Sequence, residues 1–157
     1  MNKQNLQQQL LEQLEGLLNE ASLAATNARL AAVDEQSKAE TQYDTLAIES
    51  AYLAEGQSRR IDELNEAVSL VANMPLHPCD TVKLGALFSI EFEDTNEEQF
   101  LLAPAGAGQQ LIYGSELVKV ITPNAPLARS CLNKLIDDEI MITINNNERH
   151  GSIITIE

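Results

Sequence analysis

Tryptophan is absent from this 157-residue chain, and only six residues are aromatic, three Tyr and three Phe. That supply is poor for an aromatic-lined pocket of the kind a peptidyl-prolyl isomerase uses. Basic residues are scarce too: ten Lys and Arg face 24 Asp and Glu, for a net charge of −14. Such a surface repels phosphate backbones and anionic headgroups, so no direct contact with nucleic acid or membrane is expected. The charge is evenly spread, since residues 1–72 and 73–157 each hold 5 basic and 12 acidic side chains, and no acidic tail stands apart. Apolar runs of about 18 residues are missing, and the opening MNKQNLQQQLLEQLEG has no signal-peptide core. Only two cysteines occur, Cys79 and Cys131, far apart and without a CxxC or Cys/His cluster. His77 near Cys79 does not complete a tetrahedral zinc site, and free thiols in a cytoplasmic protein are expected.

Catalytic constellations are lacking as well. The two histidines sit in loop-like sequence, and no nucleophile, base and orienting acid can be assembled around them. The stretch Pro104-Ala105-Gly106-Ala107-Gly108 is glycine-rich but lacks the Lys-Ser/Thr of a P-loop, and reads as a loose hairpin turn. Asp137-Asp138-Glu139 lacks the spaced ligands of a calcium loop and reads as a solvated turn.

What the chain has is a seam. Leu10, Leu14, Leu17, Ala21, Ala24, Ala28 and Ala31 alternate steps of four and three, and the rhythm returns as Tyr43, Ala47, Ser50, Ala54, Gln57, Ile61, Leu64, Val68 and Val71. Two such helices joined by a short connection run antiparallel. The large residues sit at the start of the first helix and the end of the second, which antiparallel pairing brings together at the base, while alanines line the tip. Val33-Asp34-Glu35-Gln36 interrupts the seam and places the turn at 33–37, where Ser37 and Glu40 have the spacing of a capping box. Asp34 and Glu35 exceed what a helix start needs.

Residues 74–81 carry two prolines and no periodicity, and read as a linker. Short alternating strands follow around 88–92, 99–103, 117–122, 140–145 and 152–156, with one short helix in 123–135. The expected class is α+β: an antiparallel helical hairpin over 1–73, a linker over 74–82, and a small antiparallel β domain with one helix over 83–157.

The run Ile121-Thr122-Pro123-Asn124-Ala125-Pro126-Leu127-Ala128-Arg129-Ser130-Cys131-Leu132-Asn133-Lys134-Leu135-Ile136-Asp137-Asp138-Glu139 resembles the C-terminal signature of the GreA/GreB transcription elongation factors. Pro126, Leu127, Ala128, Ser130, Leu132, Asp137 and Asp138 fit it. Thr122 and Ala125 stand where that family has serines, and Cys131 replaces an aliphatic residue; Asn124 is expected to cap the helix in place of the missing serine. Tyr43 and Tyr52, and Glu55-Gly56 followed by Ile61 and Leu64, extend the resemblance into the hairpin. It implies an FKBP-like C-terminal domain that docks on bacterial RNA polymerase beside the secondary channel, with Pro126, Leu127 and Arg129 near the contact. It also implies a hairpin whose tip acids, here Asp34, Glu35 and Glu40, stimulate cleavage of backtracked RNA. Asp34 and Glu35 would hold a Mg2+ ion shared with the polymerase, the protein having no cofactor of its own. The tip departs from the family: Ala39 falls where its first Glu stands, and its Asp falls on Gln36.

Three other readings stay open. One is a channel-binding regulator without cleavage stimulation, separable by assays on stalled complexes. The others are a proline isomerase, suggested by the implied fold, and a coiled-coil adaptor; the expected state is a monomer that meets nucleic acid only indirectly.

Overall fold

Glutamine, leucine, alanine and glutamate dominate residues 3–36, all good helix formers, and these residues build one continuous helix. The computed structural model describes residues 3–36, 43–93, 97–144 and 147–157, with the side chains of all of these except 32–36, 43–48, 50 and 144. Helix α1 spans Lys3–Gln36 and α2 spans Tyr43–Ala72. The chain divides into two compact units, one made of Gln13–Val68 and the other of Met1–Glu12 with Ser69–Glu157.

In the helical unit the two helices are joined through residues 37–42 and run antiparallel, as so short a connection requires. The turn expected at 33–37 does not begin at Val33, because α1 continues to Gln36. Val33-Asp34-Glu35-Gln36 breaks the apolar rhythm but contains no helix breaker, so the helix runs on. The Ser37/Glu40 capping box lies outside the described residues.

Burial follows the expected gradient. Leu14 and Leu64 are buried, Leu17, Ile61 and Val68 are half-buried, and Ala24, Ala31 and Ala54 are exposed. One step differs: Ala25 is buried where Ala24 was expected. A straight helix advances about 3.6 residues per turn, so a strict 3.5-residue seam drifts out of line with it. Leu14→Ala or Leu64→Ala is expected to cost about 2–4 kcal/mol, whereas Leu23→Ala, at a side chain 63% exposed, stays within about 0.5 kcal/mol. Chemical denaturation measures all three, and equal losses would show that the seam does not hold the pair.

The second unit is built on a six-stranded sheet. Its strands are β1 (Leu87–Phe92), β2 (Glu97–Leu102), β3 (Gln110–Tyr113), β4 (Glu116–Ile121), β5 (Glu139–Ile144) and β6 (Asn147–Ile156), with the short helix α3 (Pro126–Cys131) between β4 and β5. The spatial order is β3-β4-β2-β1-β6-β5. The sheet is mixed rather than antiparallel, since β2 and β4 run parallel. The cause is the route of the chain: it leaves β2, passes over the place of β4 to lay β3 on the edge, and returns through the tight turn at Gly114, whose φ is +62°. Residues 103–109 are therefore a crossing connection and not a hairpin turn.

Register assigns the two faces. Phe88, Ile90 and Phe92 share a face with Phe100 and Leu102, and pack with Ala128 and Cys131 of α3 and with Ile140, Ile142 and Ile153. Phe88 and Phe100 meet with ring centroids 5.7 Å apart. The other face carries Leu87, Leu101, Leu111, Val118 and Val120, all buried. Leu6, Leu10, Val71 and Met74, buried in the same unit, supply its cover. Gly106 explains itself here: its φ is +84°, and a Cβ on it would come 2.7 Å from Leu10 Cδ1, so the glycine-rich stretch makes room for the helix. Gln9 of α1 clasps the edge strand, its Nε2 donating to Ile112 O at 2.8 Å and its Oε1 accepting from Ile112 N at 2.9 Å.

Across the strands, Glu98 of β2 accepts from Lys119 of β4 at 2.6 Å and from Arg149 of β6 at 3.3 Å. The Arg149 guanidinium lies 3.9 Å over the Phe92 ring. Burial alone would raise the Glu98 carboxyl, but hydrogen bonds from Lys119 and Arg149 and their charges hold it below the usual carboxylate range.

Candidate functional site

Where β4 ends, Ala125 N donates to Thr122 O at 2.9 Å, and this turn leads into α3. Pro126 starts the helix, as suits a residue with fixed φ and no N–H. The N-cap is Ala125, with extended backbone and no side-chain hydrogen bond, so Asn124 does not replace the missing serine cap. One face of α3 is fixed by Ala128 and Cys131, both buried, with half-buried Leu127 packed against the same core. Three residues apart on the helix, Pro126 and Arg129 are exposed. Ser130 Oγ donates back to Leu127 O at 2.8 Å. Burial pushes the Cys131 thiol up to about 11, against smaller opposing pulls from Ser130 and Lys134, so it is an inert core group.

After α3 the chain makes two left-handed residues, Asn133 at φ 63° and Asp137 at φ 70°. Between them Leu135 and Ile136 are 51% and 48% exposed. The turn is held firmly: Asp138 Oδ2 accepts from Leu135 N at 2.7 Å, Asp137 N donates to Ile153 O at 2.8 Å, and Val82 N donates to Lys134 O at 3.0 Å. The acidic pair thus has a local task, with Asp138 closing the turn. The α3 surface and its turn therefore present an exposed apolar pair, Leu135 and Ile136, beyond a helix with an exposed arginine, Arg129.

Asp34 and Glu35 fall in the last turn of α1, and their side chains, like all of Glu40, lie outside the described residues. The helix end changes their physical setting. Carboxylates there face the negative end of the helix dipole, and no basic residue stands in that turn to offset them. Elsewhere among the described residues no group of three or more His, Cys, Asp or Glu is placed to hold a metal ion. The three phenylalanines are buried in the sheet unit; one cleft in this unit is lined by Lys3, Leu76, Cys79 and Asp80 with no Phe or Tyr, and another has Phe92 as its one Phe or Tyr. Among the described residues no helix is long and apolar enough to cross a membrane.

Sequence reasoning included the start of α1 in the hairpin but missed its burial. Leu6 is wholly buried and Lys3 is 7% exposed. One signal was available: a lysine in the first helical turn opposes the dipole, which favours acids there, and so points to an acceptor outside the helix.

The chain is an α+β protein of two parts, a long helix pair and a mixed six-stranded sheet with one short helix. No protein-family model and no curated protein sequence matches it. Among solved structures it is similar to the transcription factor Gfh1, with 15% identity, 94% of this chain and 92% of that one covered, and a TM-score of 0.41. It is also similar to GreA factor homolog 1 of Thermus thermophilus, at 15% identity, 94% of each chain and a TM-score of 0.38, and to Gfh1 of Thermus aquaticus, at 14%, 93% and 92%, and 0.39.

Proposed function

We propose that this protein is a Gre-type transcription factor that binds bacterial RNA polymerase at the rim of the secondary channel and stimulates cleavage of backtracked RNA. The observation that supports it is the folding of residues 121–139, the stretch most like the GreA/GreB signature. They form one continuous surface unit of strand end, proline-started helix and rigid turn, with Pro126, Arg129, Leu135 and Ile136 exposed. On a chain of net charge −14, an apolar contact with a basic flank is where an acidic protein gains affinity. Leu127 acts from behind, by holding α3 on the core. The sheet unit docks, and the acids at the end of α1 and in the following stretch, Asp34, Glu35 and Glu40, serve the polymerase active centre.

Carboxylates suit Mg2+, a hard cation that keeps several waters, and Asp34 and Glu35 would hold it jointly with the polymerase. When bound, the ion polarises a phosphoryl oxygen or activates water. The chain is then an accessory factor and not itself an enzyme; it works as a monomer in the cytoplasm, meeting RNA only through the polymerase and needing no membrane. A second reading, channel binding without cleavage, is favoured by Ala39 and Gln36 standing where the family has acids. Purified protein added to backtracked polymerase complexes is expected to shorten the RNA. Retained binding without shortening selects the second reading, and absence of binding overturns both.

A further inference from the structure

Lys3 presents its ammonium to three backbone oxygens, donating to His77 O at 2.9 Å, Gly85 O at 3.0 Å and Glu157 O at 3.0 Å. The Cys79 thiol donates to the same Glu157 oxygen at 3.2 Å. Nitrogen and sulfur therefore lie no more than about 6 Å apart. Both residues line one cleft of about 510 Å³, together with Gln4, Leu76, Pro78 and Asp80. That cleft gives a small oxidant a route to the sulfur. Burial pulls the Lys3 pKa below the ordinary lysine value, against opposing charge from Cys79 and Glu157, which enlarges the fraction of neutral, nucleophilic amine.

The geometry points to an oxidative modification site, in which peroxide joins Lys3 and Cys79 by a sulfur–nitrogen bond. In the first step the Cys79 sulfur attacks hydrogen peroxide. The S–O bond forms, the O–O bond breaks, sulfur gives up two electrons, and the thiol proton leaves with hydroxide as water. In the second step Lys3, having lost one ammonium proton to solvent and with it one of its three backbone acceptors, attacks the sulfenic sulfur through the freed lone pair. The S–N bond forms, the S–O bond breaks, and hydroxide departs with an amine proton as a second water, with no further change in oxidation. The chain loses two hydrogens in all. Cys131 is the internal contrast: Cys79, though buried, keeps 8% of its surface and lines the cleft, whereas Cys131 is wholly buried with its thiol pushed up to about 11, and it stays reduced. The bond ties the first turn of α1 to the segment before β1 within one compact unit, so it restricts the unfolded chain and raises the unfolding midpoint of that unit.

The full chain is treated with hydrogen peroxide and read by intact mass and peptide mapping. The expected result is a loss of about 2 Da, with the Lys3 and Cys79 peptides joined and a thiol reductant restoring the original mass. Lys3→Arg keeps donors for the backbone oxygens but supplies no nucleophilic amine, so it is expected to give a gain of about 16 or 32 Da at Cys79 instead. Such a gain in the wild type with the Lys3 peptide free overturns the proposal. So does a bond that maps to Cys79 and Cys131, or a Cys79 that stays unreacted under peroxide that oxidises a free thiol.

Discussion

Gly85→Ala is expected to lower the stability of the sheet unit by about 3 kcal/mol or more, through two separate effects. The first is conformational: Gly85 has φ +85°, and the left-handed region costs a residue with a Cβ about 1–2 kcal/mol. The second is steric. A Cβ here would stand 1.8 Å from Pro75 O and 2.9 Å from Pro75 C, and backbone cannot swing aside as a side-chain end can, so overpacking adds about 1–3 kcal/mol. Moving the segment endangers the bonds anchored on it, Gly85 N to Leu102 O at 2.8 Å and Lys3 Nζ to Gly85 O. Two other glycines grade the effect. At Gly106 the obstacle is the end of the Leu10 side chain, which can rotate; at Gly114 nothing lies within 4 Å and only the left-handed cost remains. Thermal unfolding should rank the losses Gly85, Gly106, Gly114, and equal losses at Gly85 and Gly114 would refute the steric account.

The same contacts show what the sequence could and could not reveal. The base of the helix pair was legible because Leu14 and Leu64 are large and their heptad steps are regular, so burial follows pattern. The short helix was legible because Pro126 marks a helix start. The parallel pairing of β2 and β4 was not, since strand alternation gives faces but not neighbours, and neighbours depend on a connection that reads like an ordinary turn. The docking of α1 on the sheet unit was hidden for a different reason. Lys3, Leu6 and Gln9 lie in a glutamine-rich segment of low apolar content, and the partners of Lys3 and Gln9 are backbone atoms 74 to 154 residues away, which carry no side-chain signature. The end of α1 was misjudged because a broken apolar rhythm signals the loss of a packing partner and not the end of a helix. That last point bears on the proposed site, since it moves Asp34 and Glu35 from a turn into a helix end.

Replacing both acids, Asp34→Ala with Glu35→Ala, is therefore expected to separate folding from function. In the last turn of α1 a carboxylate opposes the helix dipole, so alanine there leaves stability unchanged or raises it by about 0.5 kcal/mol. On the proposal that Asp34 and Glu35 hold Mg2+ with ligands supplied by the polymerase, the free protein binds the ion weakly, because two carboxylates leave most of an octahedral shell to water. The double variant should then bind polymerase as the wild type does, compete with it for the channel, and leave RNA cleavage at the polymerase's own rate. Titration calorimetry with Mg2+, competition binding and cleavage of backtracked complexes measure the three quantities. Cleavage undiminished in the double variant would move the chemistry to Glu40, and loss of polymerase binding would mean that the helix end, and not only α3 and its turn, carries the docking contact.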